Sequence, residues 1–478
     1  LKVSDRACPE PCPERSEWDS EGAIMTRYNP TVKHFHRAEE VRAEMERMGV
    51  IFNRRPDGKM AQRPFGGAGF PRTAFVADIT GQVLLHVLFE QILRLDARVY
   101  EEWYCTSLIV EDGVCRGAVA MDMTTGRMEV FRAKAVILAT GGLGRVYHPT
   151  TNGLICTGDG MSLAYRAGAP LMDMEFVQFH PTTLKTSGVL MTEGARGEGG
   201  YLLNKDGERF MKKYAPSKLE LAARDVVSRS EQTEINEGRG VDGCVLLDLR
   251  HLGREVILTK LGQIYELALD LANVDALKEP IPVRPEMHYM MGGVKTDKTG
   301  ATPIPGLYAA GECACVSVHG ANRLGGNSLL EAAVFGRIAG ASAAEYVKNV
   351  GFLPVPESRA QVDQDRLGEL LGRETVNGER SARLRLEMGT MMVSEVGIFR
   401  SQAALQEAVA TIKGLKQRYK NVAVQNKGRV FNTDLISAIE LGCMLDLAEC
   451  IATCALQRTE SRGAHSRLDF PKRDDENW

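Results

Sequence analysis

The chain has 478 residues, 44% apolar and 25% charged, with a net charge of −3. This is the composition of a globular protein with a large buried core, long enough for two to four domains. It carries no basic field that would advertise nucleic acid, and no run of about 18 apolar residues that would span a membrane.

Residues 1–30 are rich in Pro, Glu, Arg and Ser without periodicity and read as a disordered or adventitious lead. A helical pattern runs from Val32 to Met48, with Gly49 as its C′ residue. Leu84 to Leu93 reads as a helix. Leu108–Val110 and Gly117–Met121 read as strands around an Asp112-Gly113 turn, and Phe131 to Thr140 as one strand ending in the glycine turn Gly141-Gly142. From about 175 to 287 glycine turns and charged loops alternate, and a helix is expected from Lys218 to Gly238. The α/β signal returns with "GLYAAGE" and a long helix from Ser328 to Val347. One α/β domain interrupted by an insertion is therefore expected. After Pro356 the pattern is helical, with Leu384, Met388, Met391 and Met392 on one face and Leu405, Val409 and Ile412 on another, both as core. The tail from Glu460 is polar. The predicted division is 1–30, 31–174, 175–287, 288–350, 351–455 and 456–478. The 11 cysteines are scattered; neither Cys313 with Cys315 nor Cys8 with Cys12 closes a zinc or iron–sulfur site, so buried reduced thiols and no metal are expected.

Several stretches carry chemistry. In "GANRLGGNSLLE" Ser328 and Glu331 make the S-x-x-E of a capping box, and the helix start behind Gly325 and Gly326 favours negative charge. Alone this is an ordinary capped helix. Arg323 beside it adds a guanidinium that can clamp a carboxylate. His180 in "VQFHP" precedes a proline and so lies in extended chain; His288 stands before a glycine loop. With Thr192 they form a set able to hold a small dianion, although spacing alone does not bring them together. Arg224 and Asp225 lie early in the predicted helix, where a surface ion pair is the plain reading. Asp159 suits a tight turn, and Glu312 ends a strand where a ribose-binding carboxylate often sits. The literal G-x-G-x-x-G, "GRGVDG" at 238–243, follows a helix and leads into a strand, so it reads as a loop and not as a dinucleotide cradle.

Together "QRPFGG", "ILATGGLGRVY", "FVQFHPT", "TEGARGEGGYLLNKDGERF", "HYMMGG" and "HGANRLGGNSLLE" closely resemble the flavoprotein subunit of succinate dehydrogenase and its sibling fumarate reductase, from about residue 35 to the end. The resemblance implies an FAD-binding, Rossmann-like α/β domain of glutathione-reductase type, an inserted α+β capping domain and a helical domain. It implies FAD-dependent oxidation of succinate to fumarate or the reverse, hydride passing to the flavin and a proton leaving the neighbouring carbon. His180, Thr192, His288 and Arg323 correspond to substrate carboxylate binders. Arg224 corresponds to the proton-transferring residue, with Glu193 and Arg196 supporting it. Asp159, Glu312, Ser328 and Leu329 correspond to FAD contacts, beside Gly141 and Gly142. An iron–sulfur subunit would receive the electrons, with membrane anchor subunits and quinone behind it. The complex would be peripheral on an inner membrane, at the bacterial cytoplasmic or mitochondrial matrix face.

The sequence also departs from the family. Its opening βαβ unit with a G-x-G-x-x-G-type fingerprint, and the S-H-T segment whose histidine bonds FAD covalently, find no match here; His34 and His36 lack that context. An N-terminally truncated member that holds little FAD is expected, and a parallel sheet without its central strand would expose apolar edges. Two alternatives stand: L-aspartate oxidase, which shares the fold, and a non-catalytic remnant unable to hold FAD.

Overall fold

The computed structural model describes residues 38–356 and 358–478. The lead, Cys8, Cys12, His34, His36 and the first residues of the expected opening helix lie outside these. What remains of that helix is α1 (Ala38–Met48), with Glu39 and Glu40 in its first turn and Arg47 in its last, as the macrodipole favours. Gly49 follows at φ +125°, its amide returning to the Met45 carbonyl. A short hairpin, β1 (Gln62–Arg63) and β2 (Thr73–Ala74), precedes α2 (Thr80–Arg94).

A three-stranded antiparallel sheet comes next, from β3 (Trp103–Glu111), β4 (Val114–Asp122) and β5 (Arg127–Arg132). Asp112 and Gly113 both take positive φ, as a two-residue hairpin turn of matching twist requires. The expected strand from Phe131 to Thr140 is in fact two elements. Phe131, in β5, pairs with Ala118 of β4 and packs edge-on against Tyr100 and Trp103. Only Val136–Leu138 (β6) continues, parallel to β13 (Leu307–Ala309). Ile137 of this pair is 41% exposed, and α2 shows Leu85, Phe89 and Leu93 to solvent.

After β6 come α3 (Asp159–Arg166) and β7 (Leu171–Met172). The insertion is then built on a four-stranded antiparallel sheet, ordered β8 (Val177–Leu184), β11 (Ile281–Met290), β10 (Val245–Asp248), β9 (Tyr201–Leu203). Its helices are α4 (Glu193–Gly197), α5 (Met211–Tyr214), α6 (Arg224–Asn236), α7 (Gly253–Lys260) and α8 (Gly262–Ala272). Leu184, Leu202, Leu247, Ile264 and Val283 form its own apolar cluster. "GRGVDG" is the loop from α6 to β10, as expected. The helix expected from Lys218 does not run unbroken. A 3₁₀ turn at Leu219–Leu221 gives way to extended chain at Ala222 and Ala223 before α6. The Leu221 carbonyl is taken by the Gly67 amide, so it is spent across the site and not along a helix.

The chain returns through β12 (Gly293–Lys295), β13 and β14 (Ala314–Cys315) to α9 (Asn327–Asn349). The helical region holds α10 (Arg359–Gly372), α11 (Ser381–Glu395), α12 (Gln402–Tyr419) and α13 (Thr433–Gln457). Leu384, Met388, Met392, Leu405 and Ile412 are fully buried in the main core, with Met391 and Val409 at its edge. The tail closes on this region: β16 (Ser466–Arg467) pairs with β15 (Phe399–Arg400). Buried Glu460 accepts from Arg458, Arg462 and the Asp474 amide.

Candidate active site

The two histidines come from adjacent strands. On β8, His180 is fully buried. The Thr182 amide donates to its Nδ1 at 3.2 Å, so the ring proton sits on Nε2, which is buried without a partner. Burial, then the nearby Arg224 charge, pushes its pKa well down, and the ring is neutral. His288 is the extra residue of a β-bulge: Met287 pairs with Phe179 and Tyr289 with Gln178, and His288 has no opposite number. The bulge turns its ring to 5.0 Å from that of His180, with Nδ1 at 2.8 Å from Thr151 Oγ1. Burial lowers its pKa well below the usual value as well, helped by Arg224 and Arg323.

The second group surrounds α4. Thr192 caps this helix, its hydroxyl accepting from the Gly194 amide. Glu193, the first helical residue, is 2% exposed. One carboxylate oxygen takes Arg224 Nε at 2.9 Å and Nη2 at 2.6 Å; the other takes the Gly66 amide at 2.6 Å, with Arg196 Nη2 at 3.7 Å. Burial pushes this carboxyl up, but Arg224 and Arg196 more than offset it and hold it below the usual range. Two glycines make the cage possible: a Cβ on Gly66 or Gly325 would lie 2.4 Å from a Glu193 oxygen. Arg224 is thus no surface residue. It opens α6 with its guanidinium buried, and the surface pair expected of it is made instead by Asp225 with Arg229 at 2.8 Å.

Arg323 is the third element. It is 2% exposed, and among the described residues no carboxylate stands at ion-pair distance from it. Nη1 lies 3.2 Å from both the Leu324 carbonyl and Ser328 Oγ, and Nε is buried without a partner. Burial, then the Arg224 charge, lowers its pKa to about 10. Gln178 ties the two arginines together: its amide oxygen accepts from Arg224 Nη1 at 3.1 Å and its nitrogen donates to the Arg323 carbonyl at 2.6 Å. The sequence reading passed over Gln178. Its signal was the spacing of two from His180 on one strand, which puts both on one face.

The residues expected to contact FAD form a separate group. Glu312 accepts from the Met290 amide at 3.0 Å, and burial pushes its carboxyl up to about 7. It fills the space beside Gly142, where a Cβ would fall 2.3 Å from its oxygen. Gly141, at φ +68°, has open space where its Cβ would be. Asp159 opens α3, and Tyr104 donates to it at 2.6 Å while its other oxygen is buried and unpartnered. Ser328 and half-exposed Leu329 lie in the first turn of α9. The expected capping box is not made: left-handed Gly326 is the N-cap, and no side chain takes the first-turn amides. Ser328 turns to Arg323, and Glu331 to Tyr289 and His319, because buried donors there outcompete a local cap. Free amides at the head of a 23-residue helix, an orphaned carboxylate oxygen and an open glycine turn suit an electron-rich ring and a nucleotide. Among the described residues no cluster of three His, Cys, Asp or Glu side chains could hold a metal ion, and no helix is long and apolar enough to cross a membrane.

Residues 29–329 match the FAD binding domain family, and residues 385–478 match the fumarate reductase flavoprotein C-term family. A fumarate reductase flavoprotein subunit of Mycobacterium tuberculosis is 48% identical over 454 residues, covering 91% of this chain and 78% of the relative. A succinate dehydrogenase flavoprotein subunit of Rickettsia conorii is 45% identical, covering 91% and 76%. A solved variant of the Escherichia coli quinol fumarate reductase superposes with a TM-score of 0.90 at 44% identity, covering 94% of this chain and 80% of that one.

Proposed function

The chain belongs to the flavoprotein-subunit family of fumarate reductase and succinate dehydrogenase, FAD-dependent succinate–fumarate oxidoreductases, and on that premise we propose how its own residues do the work. One observation carries the reading: a buried arginine without a carboxylate, Arg323, shares a site with a buried histidine N–H without an acceptor, at His180. Both call for an anionic oxygen, which a dicarboxylate supplies at each end.

In this reading Arg323 and His180, with His288 and Thr192, bind the two carboxylates and hold the central carbon–carbon bond in one orientation. Asp159, Glu312, Ser328 and Leu329, with Gly141 and Gly142, would hold FAD, which supplies a two-electron acceptor and donor when bound. Arg224 handles the proton at the neighbouring carbon. An arginine is a poor acid on its own, with a pKa above about 12. Its contact with Glu193 through both Nε and Nη2 gives it a partner that takes or returns the proton, and Arg196 stands beside the other Glu193 oxygen. The neutral imidazoles add hydrogen-bond donors without adding charge. Residues 175–287 act as the cap that shields these groups from water. Electrons leave for an iron–sulfur subunit, then membrane anchor subunits and quinone, with the complex peripheral on the membrane.

The test is turnover of purified protein with its flavin content recorded. For the fraction that holds flavin, succinate oxidation by an artificial acceptor and fumarate reduction by a reduced viologen are both expected, with turnover in proportion to flavin content. Peroxide formed from aspartate in air, with neither dicarboxylate turned over, would replace this reading with L-aspartate oxidase.

A further inference from the structure

Arg323 raises a problem of support. A buried guanidinium is usually fixed by a carboxylate, which holds it in place and cancels its charge. Here the guanidinium carbon lies 4.3 Å over the ring of Tyr289 instead. An aromatic face attracts a cation through its quadrupole and leaves the N–H edges free. The ring is itself anchored. Tyr289 donates its hydroxyl to Glu331 Oε2 at 2.5 Å, and that carboxylate oxygen also lies 2.7 Å from His319 Nε2. Burial pushes the Glu331 carboxyl up, but His319 and the Tyr289 hydroxyl overcome it and hold it below the usual range. All three side chains are buried. Glu331 sits one turn along α9 from Ser328, whose hydroxyl lies within reach of Arg323 Nη1.

We infer that Tyr289, locked by Glu331 and His319, is the positioning residue that fixes Arg323 without neutralising it, so that its charge stays available for a substrate carboxylate. The inference rests on the dicarboxylate reading above. A carboxylate in place of the ring would hold the guanidinium equally well and compete with the substrate. The phenol solves both needs, because the negative charge of Glu331 is kept one side chain away from the binding surface.

The test compares Tyr289→Leu, Tyr289→Phe and Glu331→Gln in the full chain, measuring fumarate binding by calorimetry and the KM and kcat of turnover. The Leu variant is expected to weaken binding and raise KM by about tenfold or more, with a smaller change in kcat. The Phe variant keeps the ring but loses its anchor and Glu331→Gln only weakens that anchor, so both fall between the parent and the Leu variant, with the smaller loss in Glu331→Gln. A Leu variant that binds fumarate as tightly as the parent would overturn the inference; so would equal losses in the Phe and Leu variants. A parent protein that ignores both dicarboxylates sinks the functional reading instead. The inference is then judged by a crystal structure of the Leu variant, where an unmoved Arg323 guanidinium overturns it and a displaced or disordered one supports it.

Discussion

The site has two cationic walls, and they are built on opposite principles. On the α6 side, Arg224 is bound twice by the ionised carboxylate of Glu193. On the α9 side, Arg323 rests on an aromatic ring with no carboxylate of its own. Gln178 joins the two walls, so they are one structure with two electrostatic states. A committed charge with a bonded partner suits the passing of a proton. An uncommitted one suits the capture of an anion. In the proposed function the two tasks are separated by which guanidinium receives a counter-ion.

The strongest way to break this contrast is to remove each arginine in turn. Arg323→Leu and Arg224→Leu should each lower kcat/KM by a thousandfold or so, the scale of a lost buried ionic contact or a lost general acid. They should differ in kind: Arg323→Leu loses binding, seen as a large rise in KM, and Arg224→Leu loses kcat with little change in KM. Equal patterns in steady-state kinetics would collapse the two walls into one.

Stability should separate them next. Arg224→Leu leaves buried Glu193 with only Arg196 and the Gly66 amide, at a cost of up to about 3–5 kcal/mol. Arg323→Leu removes an unpaired buried charge, and should be neutral or stabilising in thermal melts of the ligand-free protein. A large loss in the Arg323 variant would mean that it has a structural partner after all.

The smallest effect sharpens the α6 wall. Glu231 lies two turns beyond Arg224, is fully buried, and neither carboxyl oxygen has a partner. Burial pushes its pKa well above the ordinary 4.5, against the pull of Arg196. The folded state therefore keeps a proton that the unfolded chain releases above 4.5, and this group's contribution to stability falls as pH rises, by about 1.4 kcal/mol per unit. Glu231→Gln abolishes that term. The variant should gain on the parent in melting temperature as pH is raised from about 5 to about 7; a constant difference would show that Glu231 is ionised in the fold.

Much of this was legible in the sequence as words and little of it as geometry. His180 before Pro181 was readable as extended chain, and it lies in β8. The apolar stripes of α11 and α12 were readable from helical period, and they are core. What escaped depends on partners distant in the chain. Ser328 and Glu331 have cap spacing, but Arg323, Tyr289 and His319 claim their side chains. Phe131 looked continuous with β6 because the alternation of apolar and basic residues in "FRAKAVIL" does not reveal where one strand partner is exchanged for another. Tyr289 was passed over because its role depends on a bulge that leaves no local signature, and Gln178 because its spacing from His180 does not reveal the two arginines it bridges.

The bulge at His288 also sets a counting frame. In an unbroken strand, residues 281, 283, 285, 287 and 289 would share one face. Ile281, Val283 and Met287 keep this parity, the first two in the core of the insertion and Met287 in the main core, whereas Met290 joins Met287 in the main core, so the parity changes at His288. Met287 before the bulge and Met290 after it are thereby both held in the main core. Removing one residue there would restore the pleat and throw everything beyond it onto the opposite face. The phase between these two core contacts is thus kept in whole residues, much as a reading frame is kept in nucleotides. Single-residue insertions and deletions in β11 should be tolerated far less well than substitutions.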